Sequence, residues 1–237
     1  MKKGFSLVEL SVVLIIIGIL IAAVATSTKL IGNSKLRKVM QEVESMKSGI
    51  NTFYASFDAY PGDFKRASAF FDNLPEGLDE MPNGNGDNFV EYNPENAYSW
   101  LHLASAQVID GAYTGAMSGS GEGATPRENS PGSQYSPGVC YNHIFNYDLT
   151  GSTVDTAQNN IVVGTQVTNN PCVASTFLPK DAEFIDLKLD DGNPVNGNVR
   201  SYGGSNANGT SFSAECIVDD QYNSVDLDQE CIIGILF

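Results

Sequence analysis

The chain is poor in the residues on which most catalysis depends. Among 237 residues there are two histidines, His102 and His143. No G-x-S-x-G, H-E-x-x-H or G-K-[ST] pattern occurs, so the common signatures of serine hydrolases, zinc proteases and P-loop enzymes are missing. Bases are scarce as well. Thirteen Lys and Arg stand against 28 Asp and Glu, a formal net charge of −15, which argues against broad attraction to nucleic acid or anionic lipid. There is no C-x-x-C, and no proline precedes Pro61. The hydrophobic share of 42% excludes wholesale disorder and is enough for one sizeable domain or two small ones.

What is present is unevenly spread. Residues 1–57 hold seven bases and three acids, and residues 58–237 hold six bases and 25 acids. A basic, apolar head is joined to a strongly acidic body. From Phe5 to Ala25 the head is apolar except for Glu9 and a few small polar residues. As a helix those residues rise about 31 Å, the thickness of a bilayer's hydrocarbon core. A membrane-spanning helix is the first expectation. An ordinary secretory signal peptide fits less well, because no A-x-A-like site follows and the apolar part is too long.

A second pattern continues the first. Leu36, Val39, Val43, Met46, Ile50, Phe53 and Phe57 are spaced alternately by three and four, the signature of one apolar stripe on a helix. One helix is predicted from about Phe5 to Phe57, its first half apolar all round and its second half amphipathic against a soluble domain. Gly18, Gly32 and Gly49 are the places where it can bend. Glu9 is the odd residue, since a carboxylate in a membrane helix is costly and is by default a functional candidate.

The run Gly4-Phe5-Ser6-Leu7-Val8-Glu9-Leu10, followed by the apolar stretch, resembles the class III signal of type IV prepilins and type II secretion pseudopilins. The resemblance implies that prepilin peptidase cuts between Gly4 and Phe5 and methylates the new Phe5 amine. It places Glu9 at the fifth mature position, where its carboxylate neutralises the Phe5 amine of a neighbouring subunit. Such a pair in a low-dielectric bundle sets axial register, because a misaligned neighbour leaves both charges unpaired. The sequence departs from the family in its very short leader and in lacking a proline late in the membrane half.

Charge counting alone leaves the membrane orientation ambiguous, with Lys2 and Lys3 before the span and Lys29, Lys35, Arg37 and Lys38 after it. The family and the cysteines favour a cytoplasmic N-terminus. Cys140, Cys172, Cys216 and Cys231 all lie in the body, and an even count without C-x-x-C fits disulfides in an oxidising compartment. Three pairings are open. The expected one joins neighbours, Cys140 with Cys172 and Cys216 with Cys231, and the second loop contributes ~3 kcal/mol in the chain-entropy model. Pilins often carry a C-terminal disulfide loop of this kind.

Within the body, Asp63 is expected to cap a short helix with Phe64, Ala67 and Phe71 inward. Asn93-Pro94-Glu95 opens another, with Ala97, Trp100, Leu101, Ala104 and Val108 on one face and Gly111 as its stop. Residues 111–138, rich in Gly, Ser and Pro, read as a long exposed loop or mobile connector. Strands are expected at 139–149, 160–168 and 231–237. A helix is framed by Pro179 and Gly192 with Ala182, Ile185 and Leu189 inward, and polar turns follow from Asp190 to Ser211. The body is also similar to an uncharacterised prepilin-like group, through YPGDF at Tyr60–Phe64, WLHL at Trp100–Leu103, GAYTG at Gly111–Gly115 and IDLKLDDG at Ile185–Gly192.

The fold class that follows is α+β and pilin-like: a long N-terminal helix packed on an antiparallel sheet, with short helices and long loops. Residues 1–4 are a leader, 5–28 the membrane half of the helix, 29–57 its amphipathic half, and 58–237 the acidic domain. No cofactor is certain. Calcium is the candidate, at Asn83, Asn85, Asp87 and Glu91, or at Asp190 and Asp191 with Asn193 and Asn196, since acid-rich turns supply oxygen ligands. The competing reading is plain turn chemistry, and the first run is not an EF-hand, because Asn88 takes the glycine position and Pro94 that of the bidentate acid. Major pseudopilins, by resemblance, bind calcium in a late loop.

Three functions are expected in order. The first is a structural pilin or pseudopilin subunit, not an enzyme. Its partners are prepilin peptidase, other pilin subunits and, before assembly, inner-membrane lipid, with no nucleic acid. It resides in the inner membrane as a single pass and then in a periplasmic or cell-surface filament. The alternatives are an adhesive tip subunit presenting loop 111–138 and a membrane-anchored extracytoplasmic enzyme.

Overall fold

The apolar stripe forms one uninterrupted helix. In a computed structural model that describes residues 6–73, 81–91, 94–116, 123–145, 158–206 and 211–237, with the backbone alone at 24–26, 28, 29 and 145, helix α1 spans Leu7–Phe57. It passes Gly18, Gly32 and Gly49 without a break. Leu36, Val39, Val43, Ile50 and Phe53 are buried, and Met46 and Phe57 pack partly buried beside them. Each fully buried side chain of this kind contributes roughly 1.5–3 kcal/mol, so the seam fastens helix to body. At Gly49 a Cβ would come 2.8 Å from Ile109 Cγ2; the bare backbone lets the 108–109 segment lie close on the helix. The helix ends at Asp58, which takes a left-handed conformation (φ 51°) and donates its N–H to the Tyr54 carbonyl.

Among the described residues three short helices follow: α2 (Ala67–Phe70), α3 (Glu95–Ser105) and α4 (Pro179–Leu189). They surround a five-stranded antiparallel sheet of β1 (Val139–Phe145), β2 (Asn159–Val167), β3 (Asn170–Ala174), β4 (Val199–Gly203) and β7 (Cys231–Leu236). The order is β1-β2-β7-β4, with β3 pairing the far end of β2. The last strand of the chain therefore lies between β2 and β4. A separate hairpin joins β5 (Ile217–Val218) to β6 (Gln221–Tyr222). Its two turn residues, Asp219 and Asp220, both have positive φ, as a type I′ turn requires. Val139, Tyr141, Ile161, Val163, Ile233 and Ile235 face the α1 seam in the main core, and Ile144, Val162 and Ile232 form a smaller core on the opposite face. The long helix on an antiparallel sheet with short helices is the α+β, pilin-like arrangement expected from the sequence.

Several local expectations are corrected. Asp63 caps no helix; α2 starts at Ala67 without a side-chain cap, although Phe64, Ala67 and Phe71 are buried as expected. Helix α3 ends at Ser105, not at Gly111, after which Gln107 takes a positive φ. The polar stretch from Asp190 to Ser211 contains strand β4, where Val199 and Ser201 point inward without an apolar run to announce them. Loop 111–138 is not a free connector where it is described. Asn129, Ser130 and Ser133 are buried, and Ser130 Oγ donates to the Tyr141 carbonyl at 2.5 Å. Its residues 117–122, the expected strand end at 146–149, the Asn93 cap, and Gly4 and Phe5 lie outside the described residues.

The body is tied to α1 by a polar clasp as well as by the seam. Glu42 accepts from Tyr141 Oη at 2.5 Å, Ser133 Oγ at 2.7 Å and the Gln134 N–H at 3.2 Å. One carboxylate thus joins helix, sheet and loop. Its charge and the burial of the phenol push Tyr141 well above the ordinary tyrosine value, burial being the larger cause. The structure pairs the cysteines as neighbours, Cys140–Cys172 with Cα atoms 5.7 Å apart and Cys216–Cys231 at 5.1 Å.

Candidate functional site

The start of α1 is organised by its own side chains. Ser6 occupies the N-cap in an extended conformation, and its Oγ accepts the Val8 N–H at 3.3 Å. Glu9 reaches back one turn and accepts the Ser6 N–H at 2.8 Å. This is a reciprocal capping box, which satisfies donors that a helix start leaves open. It also fixes where the Glu9 carboxylate sits, at the N-terminal end of the helix, where the peptide dipoles favour a negative charge. Sequence reasoning singled out Glu9 but not Ser6. The Ser-x-x-Glu spacing ahead of an apolar run was the available signal.

Beyond this cap the helix is bare. Leu7, Leu10, Leu14, Ile15, Ile19, Leu20 and Ile21 are more than half exposed, and so are Leu30 and Ile31 farther along. The body begins to cover α1 only at Leu36. Soluble monomers rarely leave so large an apolar surface open; surfaces of this size meet lipid or other proteins. Among the described residues no helix is long and apolar enough by itself to cross a membrane. The described apolar side chains run unbroken from Leu7 to Ala23 apart from Glu9, Ser11 and Gly18, about 25 Å of helix.

The acid-rich turns divide into two cases. Around residues 83–91 the carboxylates serve the backbone. Asp63, buried, accepts the N–H groups of Gly86 (2.5 Å), Asp87 (3.0 Å) and Asn88 (2.8 Å). Glu95, also buried, accepts those of Asn85 (2.8 Å) and Glu91 (3.1 Å). Burial raises the pKa of both carboxyls, and these N–H donors pull it back. The expected ligands are likewise engaged in shaping the turn. Asn83 bonds Ser68, Asn85 Oδ1 accepts the Asp87 N–H, and Asp87 Oδ1 accepts the Phe89 N–H. The loop is thus held by two remote carboxylates, and side-chain oxygens of Asn83, Asn85 and Asp87 are engaged in hydrogen bonds that shape the turn. Gly84 is needed there, because a Cβ would fall 2.2 Å from the Gly62 carbonyl oxygen.

The second case is different. Asp190 and Asp191 converge with Asp186, their nearest carboxylate oxygens within 4.8 Å of one another. Asp186 lies in the last turn of α4, four residues before Asp190, which caps the helix end in a non-helical conformation; nothing in the sequence signals that it joins the pair. Each carboxylate already has partners. Asp186 accepts from Tyr222 Oη (2.8 Å) and the Gly192 N–H (3.1 Å), Asp190 from the N–H groups of Asn198 and Val199, and Asp191 from that of Asn193. Burial, the leading cause, and the neighbouring acids push Asp186 up to about 6.

Both histidines are buried and hydrogen-bonded within the body. His102 is buried, accepts the Gly62 N–H at Nδ1 (3.0 Å) and donates from Nε2 to the Pro82 carbonyl (2.8 Å). His143 is fully buried, with Ser99 Oγ 2.6 Å from Nδ1 and the Phe237 ring stacked at 5.7 Å. Burial lowers them to about 4 and about 3 respectively. Both are neutral near pH 7, and neither faces solvent.

Comparison with known proteins adds one finding. Residues 1–25 match the prokaryotic N-terminal methylation motif. No curated protein and no solved structure matches the chain.

Proposed function

From the prepilin-type signal that residues 1–25 carry, we propose that the chain is a structural subunit of a type IV pilus or type II secretion pseudopilus. Prepilin peptidase removes residues 1–4 and methylates Phe5. The bare half of α1 is held in the inner membrane, with the N-terminus in the cytoplasm, and is then extracted into a helical bundle with other subunits. The observation that carries this reading is the helix itself. One continuous rod is clasped by the body from Leu36 onward and left apolar and open before it. Glu9, held at the start of the rod by Ser6, exchanges that partner for the Phe5 amine of a neighbour. The sequestered histidines favour a structural role over catalysis, and the anchored 123–138 segment favours it over display of a flexible adhesive loop.

Intact-mass measurement of the purified protein tests the processing step. The expected species starts at Phe5 and carries one added methyl group. The Glu9→Ala variant tests assembly: it should be processed and membrane-resident yet nearly missing from sheared fibres. Normal incorporation of that variant would refute the Glu9 role. Recovery in surface fibres, as opposed to periplasmic ones, separates the pilus from the pseudopilus.

We also propose Asp186, Asp190 and Asp191 as the calcium candidate, favoured over the 83–91 loop. Convergence of three carboxylates supports it. Millimolar calcium should raise the melting temperature of the full chain, and Asp190→Asn with Asp191→Asn should abolish the rise. An unchanged melting curve in the parent would overturn it.

A further inference from the structure

The two ends of the body are complementary. At the end facing the open half of α1 lies the loop closed by Cys216–Cys231; its Gln229 lines a surface hollow together with Gly32 and Leu36 of the helix. Between its cysteines the loop holds five acids and no base. It presents Val225, 88% exposed, and Leu227, 74% exposed, alternating with Asp226 and Asp228. The segment thus offers a small aliphatic surface interleaved with carboxylates, a chemistry that suits an apolar site flanked by bases.

The opposite end carries the converse. The last turn of α1, from Ala55 to Asp58, forms one wall of a cleft of about 450 Å³. Phe57, Phe64 and Phe70 line it; Phe70 lies 5.7 Å from the first ring and 5.5 Å from the second and remains 50% exposed. Lys65 and Arg66, the one adjacent pair of bases in residues 58–237, stand exposed at the cleft, with the Arg66 guanidinium 4.9 Å from the centre of the Phe70 ring. Asp58 shares the rim. Between Leu36 and Phe57 the helix rises ~32 Å, so loop and cleft lie at opposite ends of the body.

We propose that the Val225–Asp228 segment of one copy docks in the Phe57/Phe64/Phe70 cleft of a second copy, with Asp226 and Asp228 against Lys65 and Arg66. The aliphatic pair covers the exposed Phe70 ring beside Phe57, and the charges select partner and orientation. Because the two surfaces differ and lie at opposite ends, the contact is head-to-tail, the class of contact that extends into an open helical filament when its rotation does not close a ring. The proposal rests on the filament reading above and adds to the helix bundle a separate contact between bodies.

Charge reversal in the full-length chain tests it. Asp226→Lys with Asp228→Lys should reduce the subunit recovered in sheared fibres about tenfold, as expected when like charges are juxtaposed, while the membrane pool stays at the parent level. Lys65→Asp with Arg66→Asp should do the same. All four changes in one chain should restore recovery. Fibres that form in the parent and are unaffected by either reversal overturn the contact and leave the filament reading standing. So do fibres lost in both and not regained in the combination. A parent that forms no fibres overturns the filament reading and the contact with it.

Discussion

Acidifying the protein from neutral pH to about 4 should remove most of the stability of its body, and His102 and His143 should account for the loss. In the unfolded chain a histidine takes up its proton near 6.5. In the folded body burial lowers His102 to about 4 and His143 to about 3. Between those values and 6.5 the unfolded state binds more protons, so stability rises with pH across that window and falls as pH is lowered through it. At 1.36 kcal/mol per unit, each histidine withdraws roughly 3 kcal/mol by pH 4. Together that is of the order of 6 kcal/mol, comparable with the whole stability of a typical domain. Asp186, pushed up to about 6, has the opposite sign: its contribution is present at low pH and is lost as pH rises from about 4 to 6. It opposes the histidines over part of the window, as do the Asp63, Glu95 and Asp181 carboxyls, which burial also raises, but the histidine shifts reach farther from the unfolded value. The single tryptophan, Trp100, is fully buried with its ring 6.4 Å from that of His143. Its fluorescence in detergent-solubilised protein reports the transition directly. His102→Gln combined with His143→Gln should flatten the profile between pH 6.5 and 4. A variant profile that follows the parent's over that range would sink the assignment.

Phe53→Ala should cost about 3–5 kcal/mol, the largest loss expected from one side chain in the helix seam. Phe53 has no exposed surface. Its ring lies 4.6 Å from Phe57, 5.9 Å from Phe64 and 6.1 Å from Phe71, and stacks on His102 at 6.3 Å. The cavity would open where α1, the chain before α2 and helix α3 meet, and little can collapse into it, because the surrounding rings already hold one another. Phe53→Leu should lose less, and the exposed neighbour Thr52→Ala should stay within about 0.5 kcal/mol. Urea unfolding of the full chain in detergent measures all three. A loss below about 1 kcal/mol for Phe53→Ala, well under the usual cost of emptying a buried aromatic site, would show that the aromatic cluster does not fasten the helix. If it does, the variant retains the assembly signal but carries a loosened body.

How much of this was legible in the sequence depended on whether the cause was local. The seam was legible because the spacing from Leu36 to Phe57 is a property of one helix, and the burial of Phe64, Ala67, Trp100, Ala182 and Ile185 followed from the same periodicity. Strand β7 was legible from its apolar run. Strand β4 was not: in Val-Arg-Ser-Tyr-Gly only pairing with β7 makes an extended conformation worthwhile. The true roles of Asp63 and Glu95 were hidden for a similar reason. Asp63 serves N–H groups 23 to 25 residues away, and neither turn propensity nor capping rules reach that far. Loop 111–138 misled through composition. Gly, Ser and Pro read as mobility, yet Asn129 Nδ2 donates to the carbonyls of Ala116 and Gly123 while its Oδ1 accepts the Thr125 N–H, and one such residue holds a whole turn. Of the N-terminal site, Glu9 was visible as a charge out of place, whereas Ser6 was visible only as half of a spacing.

The position of β7 sets an order on the assembly of the sheet. The strand fills the gap between β2 and β4, and Phe237 beside it stacks on His143 of β1. Strands β1, β2 and β3 lie within residues 139–174 and hold both Cys140 and Cys172, so that part of the sheet and its disulfide can form from one local stretch. β7 reaches β2 only across the intervening α4 and β4, a non-local closure that is intrinsically slower. Cys231 belongs to β7, so the second disulfide forms only when that strand comes within reach of Cys216. Until then one edge of β2 stands unpaired, the kind of edge that templates aggregation.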